Sequence, residues 1–317
     1  MSIVRRIFPS ATDALRPRLA CEITPLGVLA GRPGTVAIAG EAQEVMTSYA
    51  PLRMGVLMPG LRAPNMTDRP AVAAALRAAI EPVAERERKV TVVVPDAAVR
   101  VMLLDFDTLP PKQADAIPIL RFRLRKLVPF EVDDAAVSYQ VIPGSGSDTL
   151  VRAMVAVMPG AVRAEYEDAV REAGYEPGAI LSSSLAALAA VPGEGASLIV
   201  NRNANSITTA ITRGNQVLLY RTVDLGERGM DPELGDAHAM LELQQTVSVA
   251  LAYFEDTLSS TPEHLFSVGP GGATELARLL GEETLRIRDL VPAPAKSGGH
   301  EPVPAGLMAP LVGALAS

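Results

Sequence analysis

The 317-residue sequence contains a single cysteine, Cys21, so no intrachain disulfide can form and a reducing compartment is the expected home. Tryptophan is absent and aromatic residues make up 4% of the chain, too few for a binder that stacks bases or sugars on aromatic platforms. There is no basic excess. Lys plus Arg number 29 against 36 Asp plus Glu, a net charge of −7, which argues against a dedicated nucleic-acid protein. No apolar run approaches the about 18 residues needed to span a bilayer. The longest candidates, LAALAAV at 185–191 and VAVM at 155–158, are core-sized. The first ten residues, MSIVRRIFPS, lack the apolar stretch of about 7–15 residues of a signal peptide. Two readings stand for them, a frayed end or a short basic amphipathic segment near a membrane surface or partner, with Pro9 stopping any helix early. His238, His264 and His300 are far apart and have no cysteine beside them, which weighs against a metal site.

What is present is apolar material in alternating strand and helix patterns. The chain is 48% hydrophobic and 21% charged, and its length suggests roughly two domains. Leu19–Ile23 and Gly27–Ala30 predict a hairpin, with further strands at Thr35–Ala39 and Gly55–Met58. Asp68 is placed to cap a helix whose apolar stripe is Val72, Leu76, Ile80 and Val83. VTVVVP at 90–95 and VRVMLLDF at 99–106 read as buried strands. A helix over Lys112–Val128 carries Leu120, Leu124 and Leu127 on one stripe, with Pro118 inside it. Strands at 137–142 and 149–158 flank the turn GSGSD, and a helix through Val162, Tyr166 and Val170 ends at Gly174. The second half predicts strands at 196–200, 207–212, 216–223 and 264–268, a long helix near 235–258 and a helix at 272–280 after the glycine turn GPGG. PAPAKSGGHEPVP at 292–304 reads as a surface loop, and AGLMAPLVGALA as a short apolar helix. The order implies α/β layers, and no tandem repeat of about 20–50 residues is visible.

The stretch VVVPDAAVRVMLLDFDTLPPKQADAIPILRFRLRKLVPFEVDDAAVSYQVI at 92–142 resembles the inserted subdomain of PilM-type type IV pilus assembly proteins. Leu127, Val128, Pro129 and Phe130 match the end of that family's helix, and Tyr139, Gln140 and Val141 its next strand. The resemblance continues through 151–191 and through YFEDTLSSTPEHLFSVGPGGATELARLL at 253–280, and so covers about 18–316. It implies an α/β, actin-like (ribonuclease H-like) fold: two lobes with a nucleotide cleft between them and an inserted small subdomain. The expected divisions are an N-terminal segment at 1–17, a first lobe at 18–88 and 149–195, an insertion at 89–148, and a second lobe at 196–317 with a helical part at 227–263. The resemblance also implies a cytoplasmic place at the inner face of the inner membrane, and binding of the N-terminal tail of a single-pass, PilN-like membrane protein. A pilus motor ATPase and self-association are the further partners it brings in. The related secretion protein GspL fuses both roles in one chain, whereas this sequence looks like the free-standing kind.

An actin-like cleft needs two tight turns whose backbone N–H groups surround the phosphates, acidic residues for the Mg²⁺ water shell, and a glycine-rich turn beside the adenosine. The resemblance places Glu22 where the family has Asp, with Thr24 and Pro25 near its Gly and Ser; proline removes a donor. Asn201 stands for the second Asp and Asn203 for the Gly, while Arg202 offers a phosphate contact. Gly269, Gly271 and Gly272 keep the third turn. The expectation is a pseudo-ATPase with no cofactor that retains the scaffold, the alternative being an active actin-like ATPase or kinase that binds ATP and Mg²⁺. A filament-forming protein of the FtsA type is disfavoured, because the uncharged C-terminal segment AGLMAPLVGALAS lacks the basic residues of a membrane-targeting helix.

Other constellations are weaker. Ser182-Ser183-Ser184 lacks the Gly-x-Ser-x-Gly setting of a hydrolase nucleophile and reads as a helix N-cap. Asp105 and Asp107 lie on one side of an extended segment, as a solvated strand end or a cation site. Arg121, Arg125 and Lys126 form the strongest local charge feature, either a solvated helix face or a contact for anionic lipid or an acidic partner. Leu104, Phe106, Leu124 and Phe130 are the apolar candidates for a partner-binding groove beside the insertion, where a peptide adds as a strand; plain core is the other reading.

Overall fold

The computed structural model describes residues 17–34, 45–142, 150–203, 205–225, 235–262, 264–281, 286–292 and 302–316. The N-terminal basic segment, the strand expected at Thr35–Ala39, the turn GSGSD, His300 and most of the Pro/Gly-rich stretch lie outside the described residues.

The chain opens with a hairpin, β1 (Ala20–Thr24) and β2 (Gly27–Pro33), followed by β3 (Val45–Pro51). Helix α1 (Arg69–Ala84) is capped as its sequence predicts: Asp68 Oδ1 accepts from Ala71 N at 3.0 Å, a contact worth about 1 kcal/mol. Strand β4 (Lys89–Val94) follows, then a single 3₁₀ turn over Asp96–Ala98. Next come β5 (Arg100–Phe106), α2 (Gln113–Leu124), β6 (Ala136–Ile142) and β7 (Val151–Met158). Helix α3 (Gly160–Glu172), β8 (Glu176–Ser182) and α4 (Ser183–Leu188) complete the first half. The second half runs β9 (Ala196–Arg202), β10 (Ser206–Arg213), β11 (Gln216–Asp224), α5 (Gly235–Leu258), β12 (Leu265–Val268), α6 (Gly272–Leu280), β13 (Ile287–Asp289) and α7 (Met308–Leu315).

Two five-stranded sheets have the same plan. The first is ordered β3-β2-β1-β4-β8 and the second β11-β10-β9-β12-β13. In each, the first three strands are antiparallel and the last two join in parallel: β1 to β4 to β8, and β9 to β12 to β13. This is one α/β unit used twice, the ribonuclease H-like duplication of the actin-like fold. The repeat was invisible as sequence because the halves share topology and polarity pattern, not residues.

Alternation along β1 and β2 sorts their side chains between two cores. Cys21, Ile23, Val28 and Ala30 face α1 and α3 with Leu76, Ile80, Val83 and Tyr166, all fully buried. Ala20 and Leu29 face the other way, against Met308, Leu311 and Ala314 of α7. The C-terminal helix therefore belongs with the first sheet, not with the second lobe to which the sequence division at 196–317 assigned it. It crosses α4 so closely that a Cβ on Gly313 would overlap the Ala186 carbonyl oxygen. The second sheet packs α5 and α6 on one face through Leu198, Val200, Ile207, Leu243, Val247 and Phe254.

The third sheet, ordered β5-β7-β6, interrupts the crossover from β4 to β8. The insertion therefore spans about 100–158 rather than 89–148. Strand 89–94 pairs with β1 and β8, whereas 151–158 pairs with β5 and β6. Gly55–Met58 is not a strand; Leu57 makes only an isolated bridge to Met66, in a loop held by Asn65. Among the described residues no helix is long and apolar enough to cross a membrane.

Candidate functional site

The two lobes meet where the carboxyl ends of β1, β4 and β8 face the second sheet, the place where α/β sheets hold ligands. Here that place is filled by the protein's own polar side chains. Glu22, on the β1 face opposite Cys21 and Ile23, is 2% exposed. Its Oε1 accepts from Ser183 Oγ at 2.8 Å, and its Oε2 has no hydrogen-bond partner among the described residues. Burial pushes the Glu22 carboxyl up to about 8; the Ser183 hydroxyl pulls down and the Asp96 carboxylate pushes up.

Asp96 begins the 3₁₀ turn after β4 and is 1% exposed. It accepts from Ser184 N at 3.0 Å, from Ser184 Oγ, from Thr208 Oγ1 at 2.9 Å and from Asn201 Nδ2 at 3.2 Å. Burial pushes its carboxyl up as well, against the pull of the Ser184 and Thr208 donors. Asn201 Nδ2 also reaches Ser183 Oγ at 3.1 Å and Ser184 Oγ at 2.9 Å. Thr208 stands in register with Asn201 on one side and Thr222 on the other, and the two threonine hydroxyls lie 3.0 Å apart. The serines read from sequence as a cap thus act differently. Ser182 precedes α4 but makes no capping bond, while Ser183 and Ser184 turn into the network. Asp96 and Thr208 escaped sequence reasoning. The Pro-Asp step after β4 and the threonines alternating along β10 were the available signals.

The three expected phosphate or nucleoside turns are present as turns. Thr24 Oγ1 donates to Gly27 O at 2.9 Å and accepts from Gly27 N at 3.2 Å, closing the β1–β2 turn on itself. In the second turn Asn203 N donates to Ser206 O at 2.9 Å and Asn203 Nδ2 to Asn201 Oδ1 at 3.2 Å. In the third, Gly269 N donates to Gly306 O at 2.9 Å, Gly272 N to Gly269 O at 3.2 Å and Ala273 N to Asp289 Oδ1 at 2.7 Å. The segment before α7 lies backbone to backbone on this turn: a Cβ on Gly306 would overlap the Gly269 carbonyl oxygen, and Gly269 itself has φ +99°. Glu22, Asn201 and Asn203 come together as one bonded chain, and Gly269 adjoins Asn201. Gly271 and Gly272 shape the entry to α6.

A separate groove of about 180 Å³ lies between the insertion and the first lobe. Ala136 and Ser138 of β6 and Ala156 of β7 form one wall; Ile180 and Ser182 of β8 form the other, with Val99 beside them. Among the described residues β6 and β8 are each paired on one side only. The volume is below the about 300–1,000 Å³ of small-molecule sites, so it suits one or two small side chains of an extended segment.

The four residues expected to line such a groove lie elsewhere. Met102, Leu104 and Phe106 share a face of β5 that packs with Phe130 on fully buried Leu120 and Leu124, in the insertion's own core. The basic run is also largely committed. Arg121 donates to the Asp133 and Ala135 carbonyls at 3.0 and 2.9 Å and to the Val132 carbonyl, and Arg125 pairs with Asp133 at 2.6 Å. Both tie down the acidic loop after α2, while Lys126 lies over the exposed ring of Phe122. Asp105 is paired with Arg152 at 2.7 Å, which holds its carboxyl below the usual range and fills the proposed cation position with a guanidinium. No cluster of His, Cys, Asp and Glu suited to a metal occurs among the described residues.

No family model matches the sequence, and no curated protein matches it. Solved structures do match the fold. The PilM–PilN type IV pilus biogenesis complex aligns with a TM-score of 0.66 at 20% identity, covering 86% of this chain and 89% of that one. The cytoplasmic domain of EpsL, an inner-membrane component of the type II secretion system of Vibrio cholerae, aligns with a TM-score of 0.50 at 15% identity, covering 94% of each chain. The likeness to PilM expected from the sequence holds at the level of the fold.

Proposed function

We propose that this chain is a cytoplasmic, non-catalytic scaffold of a type IV pilus or related secretion platform at the inner membrane. Its work is to hold an extended cytoplasmic segment of a PilN-like membrane protein in the groove between β6, β7 and β8. The observation that carries the reading is that groove: a narrow, mostly apolar slot beside two strands that are each last in their sheets among the described residues, in a fold shared with a PilM–PilN complex. The interlobe cleft supports the non-catalytic part. Glu22 is buried against Ser183, Asp96 already accepts from four protein donors, and Asn201 brings no charge, so the acidic set for a Mg²⁺ water shell is committed or missing. The donors of Gly27, Asn203, Gly269, Gly272 and Ala273 are spent within the protein.

Two measurements test the proposal. Fluorescence anisotropy with a labelled peptide from the N-terminal tail of the membrane partner should saturate with the native chain. Binding should be lost in Ser138→Phe, which fills the slot while circular dichroism stays native. Binding that survives in the folded variant removes the groove. Mg-ATP should leave the melting temperature unchanged, and a shift at micromolar nucleotide would restore the ATPase alternative.

A further inference from the structure

The groove and the interlobe network are two sides of the same short segments. Asp96 bonds into the cleft, and three residues on, Val99 lines the groove. Ser183 and Ser184 bond into the cleft, and Ser182 and Leu185 on either side of them line the groove. Asp96 is also the point where the first lobe accepts from the second, through Asn201 and Thr208. Asn201 also donates across the same junction to Ser183 Oγ and Ser184 Oγ, and two further polar links lie away from it. Asn205 Nδ2 donates to the Pro59 carbonyl, and Arg100 pairs with Asp224 near the surface. Exposed pairs of the latter kind contribute little, whereas removing an acceptor from a buried network leaves its donors unpaired.

We propose that Asp96 is a latch: an internal carboxylate that closes the two lobes where an anionic ligand would otherwise bridge them, and thereby sets the width of the peptide groove. Asp96 does not touch the groove, so it acts as a positioning residue. Lobe closure and peptide binding are then linked and must favour each other by the same factor. The consequence for peptide binding rests on the scaffold reading above; the closure of the lobes does not.

The experiment separates the two. Cys21 is buried, so cysteines introduced at exposed Glu87 in the first lobe and Thr257 in the second can carry a fluorescent pair for distance measurement. Asp96→Asn places an amide among four donors and is expected to lengthen and broaden the interlobe distance distribution. It is also expected to speed hydrogen exchange at 136–138 and 180–182 and to weaken peptide binding at least tenfold. Saturating peptide should narrow the distribution again. Thr208→Val, which removes one donor from the second lobe, should move every readout the same way by less, and it decides the matter if Asp96→Asn does not fold. An unchanged distance distribution with unchanged exchange overturns the latch. Weaker binding at unchanged distance overturns it too, by making the effect local. Should the native chain bind no peptide, the scaffold reading fails alone, and distance and exchange still decide the latch.

Discussion

Glu22→Gln should stabilise this protein, and by an amount that depends on pH. The native carboxyl titrates near 8, against about 4.3 in an unfolded chain. Between those values the folded state keeps a proton that the unfolded state has released. Stability therefore falls as pH rises through this window, by about 1.4 kcal/mol per unit, and levels off above about 8. Below about pH 4 both states are protonated and the group costs nothing. Glutamine has the shape of the protonated acid, keeps an oxygen for the Ser183 hydroxyl and does not titrate. The variant should match the native chain near pH 4.5 and exceed it by about 4 kcal/mol at pH 7.5. Urea unfolding of both proteins at pH 4.5, 6 and 7.5 measures the difference, and the remaining groups cancel in it. A gain that does not grow with pH would refute the buried neutral acid. A loss at pH 7.5 would show that Glu22 carries its charge in the native state, and with it the capacity to hold a cation.

Three further outcomes follow from the packing. Leu124→Ala, at a fully buried position of the insertion core, should cost about 2–5 kcal/mol and show first as faster hydrogen exchange in β5 to β7. Gly313→Ala should lower the melting temperature strongly, because its new methyl meets the Ala186 carbonyl; an unchanged melting curve would deny that α4 and α7 cross in contact. The thiol of Cys21, pushed up to about 12 by burial and by the neighbouring Glu22, should resist aromatic disulfide reagents and react only at the rate of global unfolding.

Where a segment carried its own punctuation, its place could be read from sequence. Helix α6 runs over the expected 272–280, because a glycine turn opens it and Gly281 closes it. The long helix α5 and the runs 90–95 and 99–106 were equally plain. β3 was missed because Met-Thr-Ser-Tyr-Ala-Pro has no apolar alternation, its burial coming from α1 and the neighbouring strand. The fate of Leu104 and Phe106 turned on sheet parity: a strand with two covered faces does not announce which face meets its own helix and which meets the next lobe. The cleft was half legible. Glu22 and Asn201 could be placed by resemblance, yet what they do is decided by Asp96, Ser183, Ser184 and Thr208, whose partners are distant in the chain and carry no motif.

Helix α7 has a consequence for synthesis. The inner face of the first sheet, with Ala20, Leu29, Tyr49 and Val93, stays without its cover until residues 307–315 have been made. Until that segment arrives, the earliest sheet to be made shows an apolar surface, where chaperones would hold the nascent protein or aggregation would begin.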